Sequence, residues 1–269
     1  HVVTRRQRQM CIRDRIFWFE YLHRMLGRLI GLMFFVPLVV FLWMGKVRAS
    51  LKPHLFALLF LGGCQGLMGW YMVQSGLVDR PDVSQYRLTA HLGLAIAIYA
   101  YIVWLIIGLF SPERQQRDGA LNGVFGIIGL VYLMILSGGF VAGTNAGLSF
   151  PTWPLMGDSF VPPALYRDGV TSAFEQVTTI HFNHRMLAYL TGAVLITAAV
   201  RGLLTTTDRR LKLASVLMLT AVCFQIVLGI STVLTHVDIT IAAGHQSGAV
   251  VLLTAVLFWV HVYLTQSAD

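Results

Sequence analysis

Seven long apolar runs constrain the fold of this chain more than any other feature. They lie near residues 19–44, 55–77, 88–110, 121–143, 181–204, 212–234 and 241–264. A helix of about 20 apolar residues crosses the ~30 Å hydrocarbon core of a bilayer. The chain is 56% hydrophobic and 12% charged, whereas soluble domains carry about 25% charged residues. We therefore predict an all-α integral membrane protein with seven visible spans.

Basic residues in the loops predict the orientation of these spans. Nine Lys and Arg residues follow the first, third and fifth runs, and three lie in the alternate loops. The nine are Lys46, Arg48, Lys52, Arg114, Arg117, Arg201, Arg209, Arg210 and Lys212, and the three are Arg80, Arg87 and Arg167. Because cytoplasmic loops are enriched in Lys and Arg, we place the nine in the cytoplasm. This rule also explains the overall basic excess, so we expect membrane lipid rather than nucleic acid as a partner.

The first fifteen residues, HVVTRRQRQMCIRDR, do not fit this orientation. Their five Arg residues would lie on the outer side, and the stretch lacks the apolar segment of a signal peptide. We interpret residues 1–15 as a non-native or disordered segment that stands in for the true N-terminus and one further span. The alternative is a genuine basic tail. We expect this stretch to be irregular or poorly packed, because it has neither apolar periodicity nor the length to span a membrane.

An internal repeat divides the remaining chain into two halves, 16–118 and 119–269. Three landmarks recur in the same order: Glu20-x-x-His23-Arg24-Met25 with His181-x-x-His184-Arg185-Met186, Gln65-x-x-x-Gly69 with Gln225-x-x-x-Gly229, and His91 with His245. The first and third landmarks both lie at the outer ends of helices, so the repeat contains an even number of spans. We predict two pseudo-symmetric, parallel four-helix-bundle halves, of which the first shows only three spans.

Each half supplies two histidines near the outer ends of its helices. His23 and His91 belong to the first half, and His184 and His245 belong to the second. Facing histidines in a four-helix bundle can ligate a haem iron from both sides, whereas zinc prefers three or four close ligands. The chain has no CxxCH sequence, so we predict non-covalent haem. The alternative is that each is an ordinary interfacial histidine.

The other histidines have no repeat partner of the same type. His54, His236 and His261 lie near helix ends, and we interpret them as interfacial. The role of His181 stays open, because it occupies the position of Glu20 in the repeat.

Arginines at the outer ends have two alternative roles. Arg24, Arg28, Arg87 and Arg185 can pair with haem propionates through bidentate contacts. Alternatively, they anchor the helix ends by extending their charged groups towards water.

Glu20 distinguishes the two halves, because its repeat mate His181 carries no fixed negative charge. Glu20 lies three residues before His23, so a helix places both on one face. A carboxylate beside an iron site can relay protons or stabilise positive charge. The alternative is an interfacial ion pair with Arg24 or Arg28. The asymmetry favours one catalytic half and one electron-supplying half.

The motifs together resemble the haem A synthase family, in its proteobacterial and mitochondrial branch. They are EYLHRMLGRLIG, TAHLG, GGFVAGTNAGLSFPTWPLMGDSFVPP, HFNHRMLAY and GHQSG, and the resemblance covers residues 16–264. It implies eight spans in two four-helix halves. It also implies oxidation of the C8 methyl of haem O, the substrate, to the formyl of haem A.

The resemblance further implies a role for each site residue. His184 and His245 would ligate haem b, His23 and His91 would line the substrate haem site, and Glu20 would be the catalytic carboxylate. The stretch from Gly138 to Pro163 would form an outer loop. We expect a bacterial inner membrane protein with both haem sites towards the periplasm. Expected partners are haem O synthase, cytochrome oxidase assembly factors and a second copy of the chain.

Two alternatives to this enzyme remain from the residues alone. One is a two-haem b-type electron carrier without haem-modifying activity. The other is a haem transporter, which should show broken helices near the midplane, whereas the polar residues here cluster at one face.

Overall fold

The computed structural model describes residues 5–74, 83–111 and 121–265, without the side chains of 5–17, 19, 20, 73, 74, 121 and 122. The helices are α1 (Arg5–Trp43), α2 (Lys52–Gln74), α3 (Gln85–Phe110), α4 (Leu121–Gly143), α5 (Ser172–Glu175), α6 (Val177–Thr205), α7 (Arg209–Leu234) and α8 (Ile239–Leu264). Short 3-10 turns occupy Ala49–Leu51, Ala146–Leu148 and Gly169–Thr171. Within the described residues, seven helices are long and apolar enough to span a membrane, so the predicted all-α membrane fold is confirmed.

The helix boundaries lie close to the predicted ones, with two differences. Helix α1 begins at Arg5, so the backbone from residue 5 to residue 15 is helical rather than irregular, and the packing of this stretch stays a prediction. Residues 1–4 lie outside the described residues. Helix α4 continues to Gly143, so the predicted outer loop beginning at Gly138 starts six residues later, at Thr144.

Two aspartates start the last two long helices. Asp208 accepts a hydrogen bond from the backbone N–H of Arg210 at 2.7 Å, and α7 begins one residue after it. Asp238 accepts from the N–H groups of Thr240 and Ile241 at 3.0 and 3.2 Å, and α8 begins at the next residue. Each carboxylate satisfies N–H groups that have no partner within the helix.

The chain divides into two compact units after Leu67. The first unit contains α1 and most of α2, and large apolar side chains cover its surface, including Met33 (68% exposed) and Phe60 (71% exposed). A water-exposed surface of this kind is unfavourable, whereas the same surface is suited to lipid. The unit boundary differs from the predicted boundary between the halves at 118 and 119, and the two pseudo-symmetric halves stay a prediction.

The second unit, Met68–Asp269, contains a ring of four helices. Helix α4 packs against α6, α6 against α7, α7 against α8, and α8 against α4. Helices α6 and α8 therefore occupy opposite corners of the ring. Helix α3 packs on the outside of the ring, against α4 and α8.

Apolar residues from α8 contribute most to the core of this unit. Leu253, Val256 and Val260 are almost completely buried, and they pack with Leu195 of α6 and Met218 of α7. Between spans in lipid, such side chains stabilise the assembly through close van der Waals packing, so the core fixes the relative positions of the helices that carry the site.

Two glycines bring α4 unusually close to α3. A Cβ atom on Gly139 would lie 2.9 Å from the Oγ1 of Thr89, and one on Gly143 would lie 2.8 Å from the Cα of Gln85. Small residues four positions apart allow this approach between helices in a membrane. The contact ties the end of α4 to the start of α3.

Candidate functional site

Three histidines of the second unit occupy equivalent places on their helices. His91, His184 and His245 each lie about two turns after the first residue of α3, α6 and α8. His184 and His245 extend from opposite corners of the four-helix ring, and their imidazoles lie close enough to interact electrostatically. The structure thus brings together the histidine pair predicted for the second half.

Each of these imidazoles packs against a glycine of another helix. A Cβ atom on Gly69 of α2 would lie 3.2 Å from the Cε1 of His91. A Cβ atom on Gly138 of α4 would lie 3.5 Å from the Cε1 of His184. A Cβ atom on Gly229 of α7 would lie 3.0 Å from the Cε1 of His245, so a larger residue at position 229 would press on the ring.

Hydrogen bonds hold the rings of the predicted pair. The Nδ1 of His184 lies 2.7 Å from the Oγ of Ser137, whose hydroxyl donates to the carbonyl of Met134 at 2.8 Å. The side-chain amide nitrogen of Gln225 lies 3.2 Å from the Nδ1 of His245 and donates to the His245 carbonyl at 2.9 Å. Both Nδ1 atoms therefore have polar partners.

Arg185, predicted either to pair with a haem propionate or to anchor the helix end, makes several hydrogen bonds with protein groups. Its side chain is 7% exposed. It donates hydrogen bonds to the carbonyls of Phe150 and Thr152, both at 2.9 Å, and of Leu155 at 3.2 Å. Its Nε donates to the Nε2 of His181 at 3.1 Å. Arg185 therefore clamps the loop that precedes α6 onto the helix that carries His184.

Further contacts attach this loop, residues 144–171, to the start of α6. The hydroxyl of Tyr166 donates to the Oδ1 of Asn183 at 2.9 Å, and the amide of Gln176 donates to the carbonyl of Ala164 at 2.9 Å. Phe160 stacks on Tyr189, with ring centroids 6.1 Å apart. The loop is thus fixed beside the end of the helix at which His184 lies.

Arg87, the other arginine of this unit expected at an outer helix end, also contacts protein groups. Its guanidinium lies 4.0 Å from the ring centroid of Tyr71 and donates to the Tyr71 carbonyl at 3.2 Å. This contact attaches α3 to the last turns of α2.

The residues predicted for the substrate site lie in different units. His23 and Arg24 are exposed on α1 in the first unit. Glu20 belongs to the same helix, but its side chain lies outside the described residues. The predicted pairing of His23 with His91, which belongs to the second unit, stays a prediction.

The donor set favours iron in a flat macrocycle over a tetrahedral metal ion. Among the residues whose side chains the structure describes, no group of three or more His, Cys, Asp or Glu could hold a metal ion. A tetrahedral zinc site would require such a cluster, whereas two imidazoles on opposite helices match the axial ligands of a haem. Gln225 Oε1 is buried without a hydrogen-bond partner in the described part of the chain, which leaves polar capacity beside the histidine pair.

Sequence reasoning missed several residues of this site. It noted Gly69 and Gly229 as landmarks of the repeat but did not predict their contacts with His91 and His245. It placed Ser137 at the end of a span and Gly138 in a loop, without a role for either. A serine next to two glycines in an apolar run is a weak signal, because such residues are common where membrane helices pack.

Comparison with known proteins gives a consistent family. A model of the COX15-CtaA family, described as "Cytochrome oxidase assembly protein", matches residues 6–257. The match includes residues 6–15, so it gives no support to the prediction that this stretch is foreign.

Individual relatives carry a more specific name. The chain is 46% identical over 253 residues to the heme A synthase of Nitrosospira multiformis, with 91% of this chain and 71% of that relative covered. It is 42% identical to that of Nitrosomonas eutropha, with the same shares of each chain covered. It is 41% identical over 259 residues to that of Paramagnetospirillum magneticum, again with 91% and 71% covered.

Proposed function

This chain belongs to the COX15-CtaA family of cytochrome oxidase assembly proteins, and we propose that it oxidises the C8 methyl of haem O to the formyl of haem A. The names of the relatives support this reaction. The structural observation that supports the proposal is the position of His184 and His245 on α6 and α8, at opposite corners of a helical ring in a multi-pass membrane protein.

The second half holds haem b in this proposal. His184 and His245 would hold its iron, one from each of two opposite helices. Bound haem b supplies one-electron transfer. Gly138 and Gly229 provide the flat surfaces on which the two imidazoles rest, and the clamped loop 144–171 limits access of water to this end of the helices.

The first half receives haem O. By the repeat, His23 on α1 corresponds to His184, and His91 on α3 corresponds to His245. His91 rests on Gly69 at 3.2 Å, as His245 rests on Gly229 at 3.0 Å. This shared contact supports the equivalence of His91 and His245.

Glu20 provides the chemical difference between the two halves. A fixed carboxylate stabilises positive charge that develops during oxidation of the methyl group, and it can accept a proton released there. The equivalent position holds His181, which accepts a hydrogen bond from Arg185. The second half therefore has no carboxylate at the corresponding place, as expected if only the first half performs the oxidation.

The proposed location is a bacterial inner membrane, with both haem sites towards the periplasm. The distribution of loop Lys and Arg supports this orientation. In this position the chain receives haem O from haem O synthase and passes haem A to cytochrome oxidase assembly factors.

The experiment is a comparison of haem b content in purified variants. His184→Ala and His245→Ala should each lose most bound haem b and its low-spin bis-imidazole spectrum, because one axial ligand is removed. His236→Asn is the matched control, since His236 lies in the exposed turn before α8, and it should keep the full spectrum. Full retention of haem b in both alanine variants would exclude this ligand pair.

A second comparison separates catalysis from haem binding. Glu20→Gln keeps the size of the side chain but removes its charge, so haem b content should be normal while haem A formation falls. A loss of about 3 kcal/mol of transition-state stabilisation would slow the reaction over 100-fold. Haem A formation at the unaltered rate would show that Glu20 is an interfacial ion-pair partner only.

A further inference from the structure

We propose that Ser137 is a positioning residue that fixes the tautomer and the ring plane of His184, so that the Nε2 atom of His184 faces the iron. The inference rests on the proposed function, in which His184 ligates haem b. It concerns a residue of α4 that makes no contact with the haem iron itself.

The hydrogen bonds of Ser137 determine the direction of proton donation. A serine hydroxyl has one proton to donate and two lone pairs that accept. Ser137 donates this proton to the carbonyl of Met134 at 2.8 Å. With its proton in this bond, the hydroxyl oxygen, 2.7 Å from the Nδ1 of His184, acts as the acceptor. The imidazole must carry its proton on Nδ1, which leaves the lone pair of Nε2 free for a metal.

The residue next to Ser137 restricts the same ring sterically. A Cβ atom on Gly138 would lie 3.5 Å from the Cε1 of His184, which is ordinary van der Waals contact. Two consecutive residues of α4 thus contact one imidazole, Ser137 at Nδ1 and Gly138 at Cε1. The hydrogen bond sets the rotation of the ring, and the glycine sets its distance from α4.

The second proposed ligand meets a different kind of group. The side-chain amide nitrogen of Gln225 lies 3.2 Å from the Nδ1 of His245 and also donates to the His245 carbonyl at 2.9 Å. An amide nitrogen can only donate, whereas the committed hydroxyl of Ser137 accepts. His184 is therefore the proposed ligand whose Nδ1 contacts an acceptor, which leaves its Nε2 lone pair for a metal.

The position of the Nδ1 proton has consequences for a bound haem. An acceptor at Nδ1–H makes the imidazole a more basic ligand, which favours ferric over ferrous iron and lowers the midpoint potential. Loss of such a partner typically weakens metal binding by about 10–100-fold. Ser137→Ala should therefore weaken haem b binding, raise the midpoint potential of the haem b that remains bound, and change its low-spin EPR g values.

The test measures haem b affinity, midpoint potential and EPR spectrum in three variants of the full chain. Ser137→Ala removes the acceptor, and Ser137→Thr keeps a hydroxyl at the same position. Ser247→Ala is the control, because Ser247 is exposed on α8. We expect the changes in Ser137→Ala, their reversal in Ser137→Thr, and no change in Ser247→Ala.

Two outcomes would overturn the inference. One is a Ser137→Ala protein with the affinity, potential and g values of the unaltered chain. The other is equal loss of haem b from Ser137→Ala and Ser137→Thr in protein that is otherwise folded. Failure of the proposed function is distinguishable, because the unaltered chain would then bind no haem b or would keep it after His184→Ala.

Discussion

At the scale of single residues, Arg185 shows how a buried cation can organise a loop. Its guanidinium donates to three loop carbonyls and to His181, and it is 7% exposed. Hydrogen bonds to charged groups contribute about 1.5–3 kcal/mol each. Arginine presents five N–H donors spread over a planar fork, whereas lysine presents three on a single nitrogen.

We therefore expect Arg185→Lys to loosen the loop while conserving the charge. The carbonyls of Phe150, Thr152 and Leu155 would lose most of the hydrogen bonds that the Arg185 guanidinium donates to them. Amide hydrogen exchange over residues 150–156 should become faster, and the thermal midpoint should fall. Arg201→Lys is the control, because Arg201 is exposed at the other end of α6. Unchanged exchange in Arg185→Lys would show that the loop does not depend on this clamp.

The glycines that contact the histidines predict a graded response to added methyl groups. A Cβ atom would lie 3.0 Å from Cε1 of the ring at Gly229 and 3.5 Å at Gly138. Gly229→Ala should displace the ring of His245 and reduce haem b content. In Gly138→Ala the added methyl group makes only ordinary van der Waals contact with His184, so this variant should keep most of its haem b. Haem b per protein, measured by absorbance, checks this order, and a greater loss in Gly138→Ala would contradict it.

At the scale of elements, α4 links the two histidine sites of the second unit. Ser137 and Gly138 contact His184 of α6, whereas Gly139 and Gly143 meet Thr89 and Gln85 of α3. One end of a single helix thus fixes the place of His184 and the start of the helix that carries His91.

A methyl group in this helix contact should separate α3 from α4. A Cβ atom on Gly143 would lie 2.8 Å from the backbone of Gln85, which cannot move aside as a flexible side chain can. Overpacking typically costs about 1–3 kcal/mol, so Gly143→Ala should lower the thermal midpoint. Gly129→Ala in the same helix has open space around it and should gain roughly 0.5–1 kcal/mol from helix propensity. Equal midpoints for the two variants would contradict the close contact.

The elements themselves were largely predictable, because span length and hydropathy depend on local sequence. The predicted span 121–143 coincides with α4. The loop predicted from Gly138 begins later because Gly139 and Gly143 serve a contact with α3, which a glycine-rich sequence alone does not distinguish from a loop. Likewise, three partners of Arg185 are backbone carbonyls at least 30 residues earlier. Every residue has a backbone carbonyl, so the sequence does not show which of them Arg185 contacts.

At the scale of the whole molecule, the histidine pattern carries the functional argument. The repeat predicted that His184 and His245 belong together, and the ring of α4, α6, α7 and α8 places them on facing corners. Glu20, His23 and His91 are assigned to the catalytic half because the repeat makes them equivalent to His181, His184 and His245. Membership of the family connects these residues to one reaction.

The most direct test of that reaction is mass analysis of haem extracted from cells. The chain would be expressed in bacteria that make haem O but lack their own haem A synthase, with an empty vector as the control. We predict that haem A appears only with the chain, and that the purified protein carries haem B together with haem O or haem A. Extraction of haem B alone, with no haem A in the cells, would contradict the proposed oxidation and would favour a simple electron carrier.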